Sequence, residues 1–560
     1  MRCSTILFLL LGLLGNLSGT ELKLASGGKT AYTIVLPDDA IPAEKTGARE
    51  LADHLGKMTG AEFPVVAAQA YKGGPAIAVG FNPRLPAALA RKQFPDLGPE
   101  ELVIQAEGDT LLLGGGRPRG SLYAVYEFLE KLGVNWYTPS FTKIPATPEL
   151  SVQVEPEHYT SPFRSRTQVP GNGVTPEWCA RNRMNSFLQW NNPGEAYGSG
   201  IRQGPDMHTF WRIFNPANFK THPEWAAMVD GKRQTATANH SWGLCLSNAE
   251  LRRHLVQRTL EWVRKNPGYT DVWIGQNDGS PYCTCDDCTA FYKAHGGKPS
   301  SLIVQLINEL AEAMKQEFPD KRLKTLAYNW SLEPPEKMKL APSATVMLCA
   351  AIPYWDTLGV SPGGEKFISD YRQWRKVADN FEIYLYSYPT DSSWFPAPCL
   401  YSQARNIRWA ADSGFQAVHQ EVFGVGTGDG GDLADLRAWL YAQLMWHPDA
   451  DPNRLVEEFC RGYYGKAADA VLSAIRTTNR AVETEGWIPP QKNISMVVPG
   501  YVQPKVNREV CALLERTYHS TQDPELKKRV GCVWLPYLWA EFWLGINRYA
   551  ACDKNTGMWG

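Results

Sequence analysis

Beyond its first twenty residues the sequence has no apolar run approaching the length of a membrane-spanning helix. Even there the run from Ile6 to Leu14, broken by Gly12, is too short for a hydrocarbon core of ~30 Å. Met1-Arg2 supplies a positive start, and Ser18-Gly19-Thr20 a small, polar exit. That layout is a secretory signal peptide over residues 1–20, so a secreted or periplasmic protein with no membrane span is expected. Cys3 precedes the apolar run and is not placed as a lipoprotein cysteine. Long basic stretches are also lacking, and 57 Lys and Arg against 58 Asp and Glu leave a formal charge of −1. Electrostatic capture of nucleic acid or an anionic membrane is therefore disfavoured. The glycine-rich turn Gly114-Gly115-Gly116 carries no GxGxxG or GK[ST] pattern, the common nucleotide-binding fingerprints.

Cysteine is sparse and odd in number once the leader is set aside: twelve in all, including Cys3. Eleven thiols cannot form a complete set of internal disulfides. Cys245, Cys349, Cys460 and Cys532 stand singly in apolar surroundings and read as buried thiols. Aromatics are plentiful, with 20 Trp and 24 Tyr. Such rings either fill cores or stack on the apolar faces of sugars while their polar atoms reach hydroxyls.

Residues 22–155 read as a separate α/β unit. Strands are expected at 32–37, 76–79, 102–106 and 110–114, with helices at 43–58 and 121–132. Gly114-Gly115-Gly116 before the second helix reads as a tight strand-to-helix turn, with phosphate binding as the second reading. A Pro- and Thr-bearing linker follows at 142–162. From 163 to 449, eight strands are expected at 163–169, 184–190, 242–246, 271–276, 324–330, 345–350, 381–386 and 415–420. Helices between them include 248–265, 301–318 and 367–379. Eightfold strand–helix alternation is the mark of a (β/α)8 barrel, the fold class expected here; a doubly wound open sheet is the alternative. Residues 450–560 read as a helical C-terminal region, and the absence of a helix stop or tail at Gly560 leaves open whether more chain follows.

In such a barrel the chemistry sits at the C-terminal ends of the strands. Reading past those ends gives Trp190, Asn277-Asp278, Asn329-Trp330, Tyr354-Trp355-Asp356, Asp391 and Glu421. Glycosidic cleavage needs two carboxyl groups flanking the bond. Asp278 as acid and Glu421 as its partner are the candidates, with Asp356 and Asp391 in reserve. Asn-Asp-Gly is equally a good turn, and a rim glutamate equally a structural ion-pair member. Trp190, Trp330, Tyr354 and Trp355 are candidate stacking walls, and Asn277, Asn329, His208 and Asp391 candidate substrate contacts. His208 and His222 would lie on a long excursion after the second strand. His222 before Pro223 reads more simply as a turn former.

Cys283-Thr284-Cys285-Asp286-Asp287-Cys288 is a CxCxxC motif. Three thiols at this spacing can face one tetrahedral zinc ion with a fourth ligand from elsewhere, His295 being nearest in sequence. The rival is a disulfide inside the loop. Either staples the segment that carries Asp278, so no cofactor is expected to be required for catalysis.

Two resemblances bear on function. LLLGGGRPRGSLYAVYEFLEKLGVNWYTPS at 111–140 resembles the end of the small α/β domain that precedes the barrel in α-glucuronidases and β-hexosaminidases. GQNDGSPYCTCDDC, with HPEWAAMVDGKR, LCLSN and QLMWHPDADPNRLVEEFCRGYYG, resembles a bacterial family known only as a domain of unknown function, over nearly the whole mature chain. Similarity to β-hexosaminidases implies Asp278 as acid and Asn277 as the group orienting substrate; Asn-Asp stands where those enzymes have Asp-Glu. The resemblances imply a carbohydrate-active barrel with an oligo- or polysaccharide partner, hence a glycoside hydrolase. A non-catalytic carbohydrate-binding barrel is the second reading. A metal-dependent hydrolase at the cysteines ranks third, because four protein ligands leave zinc no open position.

Overall fold

The computed structural model describes residues 19–556 except 92–93, 170–173, 189–193, 236–239, 351–356, 359–361, 388–394, 423–432 and 486–501. Two compact units emerge, one of residues 1–134 and 144–160, the other of 135–143 and 161–560.

In the first unit a six-stranded sheet carries the helices Pro42–Thr59 and Gly120–Lys131. Pro42 opens the former, Glu44 accepts the Ile41 amide at 3.0 Å, and Gly60 ends it in the left-handed region at φ 74°. The three-glycine turn is packed shut. A Cβ on Gly116 would come within 1.9 Å of the Gly98 carbonyl oxygen, so these glycines serve close backbone approach and leave no phosphate cradle.

The second unit is a (β/α)-type barrel. Its eight parallel strands are β1 (Ser165–Val169), β2 (Ser186–Leu188), β3 (Ile201–Gly204), β4 (Asp271–Trp273), β5 (Arg322–Ala327), β6 (Ala344–Ala350), β7 (Asn380–Tyr386) and β8 (Ala417–Glu421). Hydrogen bonding runs in the order β1-β8-β7-β6-β5-β4-β3-β2. At the seam between β1 and β2, Asn185 takes the place of a ladder: its Oδ1 accepts the Arg166 amide at 2.9 Å and its Nδ2 donates to the Arg164 carbonyl at 2.7 Å. Seven strands fall where the sequence placed them. The third does not. It is Ile201–Gly204, hidden in a glycine-rich stretch, whereas 242–246 is irregular chain whose Ala226 and Leu244 form only an isolated bridge. His208 and the excursion bearing His222 therefore follow β3, not β2. Helix Pro362–Trp374 also lies earlier than the expected 367–379. C-terminal helices Pro452–Tyr464, Ala468–Glu485, Pro504–Ser520 and Pro524–Thr556 complete the unit.

The barrel interior is filled rather than open. Trp273 on β4 lies 6.1 Å from His419 on β8, on the opposite side of the strand order. Beneath it, Lys324 holds Asp271 at 2.8 Å and Glu382 at 2.7 Å, with all three side chains excluded from water. Arg164 adds a two-pronged contact to Asp271, each bond 3.1 Å. Burial alone would raise Asp271, but the Lys324 and Arg164 charges outweigh it and hold it well below the ordinary carboxylate range. Glu382 is lowered against burial by the same lysine, and His419, bonded to Glu382 at 3.3 Å, is pushed down by burial and stays neutral.

Candidate functional site

Side chains alternate along each strand, so residues two apart share a barrel face. His419 and Glu421 on β8 share the interior face, as do Glu382, Tyr384 and Tyr386 on β7. In register, Tyr384 stands opposite His419 and Tyr386 opposite Glu421. The upper layer at the C-terminal strand ends is thus Glu421, the ring pair Tyr384–Tyr386 at 4.9 Å, Cys349 from β6, and Tyr328 just beyond β5.

Glu421 is 7% exposed, and its Oε2 has no hydrogen-bond partner among the described residues. Burial raises its carboxyl to about 7. A carboxyl group desolvated by burial, with no compensating cation among the described residues, holds its proton near neutrality, which is the property of a general acid. Tyr384 is driven well above the ordinary phenol range by burial first and then by negative charge at Glu421 and, further down the order, at Asp278. This phenol lies in the field of both carboxyl groups.

Asp278 belongs to the loop after β4 and is exposed. Tyr328 donates its phenol hydrogen to Asp278 Oδ1 at 3.0 Å, and is itself raised to about 12 by burial and then by Asp278. Asn277 is buried and its amide is committed to backbone: Oδ1 accepts Trp211 N at 2.8 Å and Nδ2 donates to the Trp242 carbonyl at 3.0 Å. It holds the excursion against the loop. Gln276 ties the loop to the end of β5 through the Tyr328 carbonyl at 2.6 Å and Ser331 at 2.9 Å. His208 donates from Nδ1 to the Gln276 carbonyl at 2.8 Å, and its ring sits 5.8 Å from that of Tyr328.

Asn329 is exposed in the left-handed region, φ 51°, beside the site. Trp330 is half-buried and donates from Nε1 to the Ser280 carbonyl at 3.0 Å, which fixes its indole against the Asp278 loop. Trp190, Tyr354, Trp355, Asp356 and Asp391 lie outside the described residues. His222 stacks on Trp225 at 4.1 Å and bonds Glu224, a structural place within the excursion.

The cysteine motif gains its fourth member from a residue that looked solitary. Cys245, Cys283, Cys285 and Cys288 are all buried, with their sulfurs within 4.8 Å of one another. Cys245 Sγ lies 3.6 Å from Cys285 and 3.9 Å from Cys288. Zinc–sulfur bonds of ~2.3 Å in a tetrahedron put sulfurs about 3.8 Å apart, whereas a disulfide needs ~2.05 Å. The thiols are free and fit one tetrahedral ion. His295 is not the fourth ligand of this set; its Nδ1 bonds the Phe291 carbonyl at 2.8 Å.

The local sequence serves this centre. Asp230-Gly231, both with positive φ, turn the hairpin Met228–Val229/Lys232–Arg233. The hairpin sends the Met228 amide to Cys283 Sγ at 3.2 Å and the Arg233 guanidinium to it at 3.7 Å. Such donors and a nearby positive charge offset thiolate charge. The centre joins the excursion, through Cys245, to the loop carrying Asp278. Gly243 permits the same junction, since a Cβ there would meet the Pro281 carbonyl oxygen at 2.2 Å.

Sequence reasoning missed Tyr328, Tyr384, Tyr386 and Cys245. The run Ile383-Tyr384-Leu385-Tyr386 does carry a signal, aromatic at every second position on one strand face.

The fold is similar to that of two solved enzymes. One match is a glycoside hydrolase family 138 enzyme targeting pectin rhamnogalacturonan II, at TM-score 0.52 and 11% identity, covering 90% of this chain and 85% of the other. A second is a family 115 4-O-methyl-α-glucuronidase with specificity for decorated arabinogalactans, at TM-score 0.54 and 11% identity, covering 93% and 71%. No curated protein matches the chain. Residues 136–475 match the domain of unknown function DUF4838, and the chain belongs to that family.

Proposed function

We propose that the protein is a glycoside hydrolase acting outside the cytoplasm, with Glu421 as proton donor and Asp278 as the ionised partner. The carrying observation is Glu421: a buried carboxyl at the C-terminal end of a barrel strand, raised to about 7 by burial alone. This reverses the roles suggested by sequence, where Asp278 was the acid. Asp278 is exposed and accepts the Tyr328 hydroxyl at 3.0 Å. Glu421 would protonate the departing glycosidic oxygen while Asp278 acts from the other side of the bond as nucleophile or as base toward water. Tyr384, in the field of both, would donate its hydrogen to whichever group carries charge. The four-thiol centre would hold zinc structurally and take no part in bond cleavage. The signal-like residues 1–20 support export, and the likeness to two glycan-acting barrels supports a carbohydrate substrate.

The test is release of sugar from a panel of chromogenic glycosides, uronides and N-acetylhexosaminides, with arabinogalactan and pectic polysaccharides. The protein purified from residue 21 onward is assayed beside Glu421→Gln and Asp278→Asn. Wild-type release with each variant reduced ~10²–10⁴-fold is the expected result. Full activity in either variant removes that residue from the mechanism. Glycan binding without release by the wild type would make this a carbohydrate-binding barrel.

A further inference from the structure

Tyr282 is one of five large hydrophobic side chains exposed among the described residues, at 40%, and it lies four residues beyond Asp278 on the same loop. Isolated exposed apolar residues need no explanation, but this ring is built into place. Trp330 lies 6.0 Å from it at 50°, and Tyr292 meets it edge-on at 6.1 Å and 72°. Its loop is pinned at both flanks. Ser280 on one side accepts from Trp330 Nε1, and Cys283 on the other belongs to the thiol centre while its carbonyl accepts the Tyr292 hydroxyl at 3.1 Å. Trp330 and Tyr328 leave the same strand end, so the segment that buttresses Tyr282 also supplies the hydroxyl on Asp278.

From this geometry, and resting on the glycan-acting reading of the site, we infer that Tyr282 and Trp330 form a sugar-stacking subsite beside the Asp278 carboxylate. It would take a pyranose unit of an oligo- or polysaccharide through its apolar C–H face. A fixed aromatic face loses little freedom on binding, and its phenol edge can still reach a sugar hydroxyl. Four residues of chain span at most ~14 Å, so a unit on Tyr282 belongs to the same glycan as one held at Asp278. The ligand is therefore a chain longer than the sugar being processed, and affinity should depend on units on the Tyr282 side.

The experiment is affinity electrophoresis of the full protein through gels containing arabinogalactan or pectic rhamnogalacturonan. It compares wild type, Tyr282→Ala, Tyr282→Phe and the control Phe542→Ala, which removes an exposed ring from the last helix. The expected result is retardation of the wild type in at least one gel. The apparent dissociation constant should be roughly 10-fold higher in Tyr282→Ala, near wild type in Tyr282→Phe, and unchanged in the control. Equal retardation of Tyr282→Ala and wild type overturns the subsite, as does absence of retardation in every gel. Retardation is read without turnover. Binding lost in Tyr282→Ala, with no sugar released by the wild type, keeps the subsite and sinks the hydrolase. Sugar release with Tyr282→Ala still retarded does the reverse.

Discussion

Tyr386 on β7 and Glu421 on β8 are direct cross-strand partners at the last register position of the two strands. The pairing sets a large ring beside a carboxyl group at the barrel mouth, and both are raised chiefly by burial. A glutamate that keeps its proton near neutral pH is thereby built from packing, with no charged partner among the described residues.

Glu421 sets a pH dependence in both activity and stability. As proton donor it must be protonated, so kcat/KM should fall as pH rises through about 7. For stability, the folded value lies above the unfolded one, near 4.5. Stability is then fully present below pH ~4.5 and lost as pH rises through about 7, by on the order of 2–3 kcal/mol. Thermal melting of wild type and Glu421→Gln at pH 5 and pH 8 checks this. The variant should gain relative to wild type at pH 8, and a constant difference between the two would refute it.

Tyr328→Phe removes the hydroxyl that donates to Asp278 at 3.0 Å while keeping the ring. Turnover should fall about 10-fold, far less than in Asp278→Asn, because one hydrogen bond to a charged group contributes ~1.5–3 kcal/mol at most. Steady-state rates on any substrate found decide it; a loss equal to that of Asp278→Asn would give Tyr328 a chemical role of its own.

Metal analysis of the purified protein should find one zinc per chain. Cys245→Ser should lower that content as much as Cys285→Ser does, and His295→Ala should leave it unchanged. Both serine variants should melt at lower temperature, since a structural site contributes folding free energy directly. Zinc retained in Cys245→Ser would remove it from the ligand set.

Lys324 neutralises two buried carboxylates at 2.8 and 2.7 Å. Lys324→Met leaves Glu382 without its ammonium partner and Asp271 with Arg164 alone, and should cost about 3–5 kcal/mol in denaturant unfolding. A change under 1 kcal/mol would mean that water or a proton replaces the ammonium readily.

Much of the barrel was legible in the sequence where patterning was strong. Val346–Ala350 of β6 and Ile383–Tyr386 of β7 are continuous apolar and aromatic runs, as strands covered on both faces require. β3 was not legible. Ile201-Arg202-Gln203-Gly204 carries a single apolar side chain, because Gln203 is spent inside the barrel on Lys324 and Trp273. Trp242-Gly243-Leu244-Cys245-Leu246 imitates a strand because it is buried, yet its amides go to the excursion, as with Cys245 N to the Trp225 carbonyl at 2.8 Å. Burial and strand pairing leave the same trace in composition.

The sequence by itself determined the alternation of strands and helices, the two carboxylates beyond strand ends, and a thiol-rich loop next to one of them. Those follow from local spacing, which acts between near neighbours. Tertiary structure alone decided that the Glu421 carboxyl is raised, since burial by what surrounds it and not its own segment is the cause. It also decided that Cys245 joins three thiols some forty residues away, and that Asn277 is spent on Trp211 and Trp242. Desolvation and ligand geometry depend on groups brought together through space, and one-dimensional spacing carries no record of them.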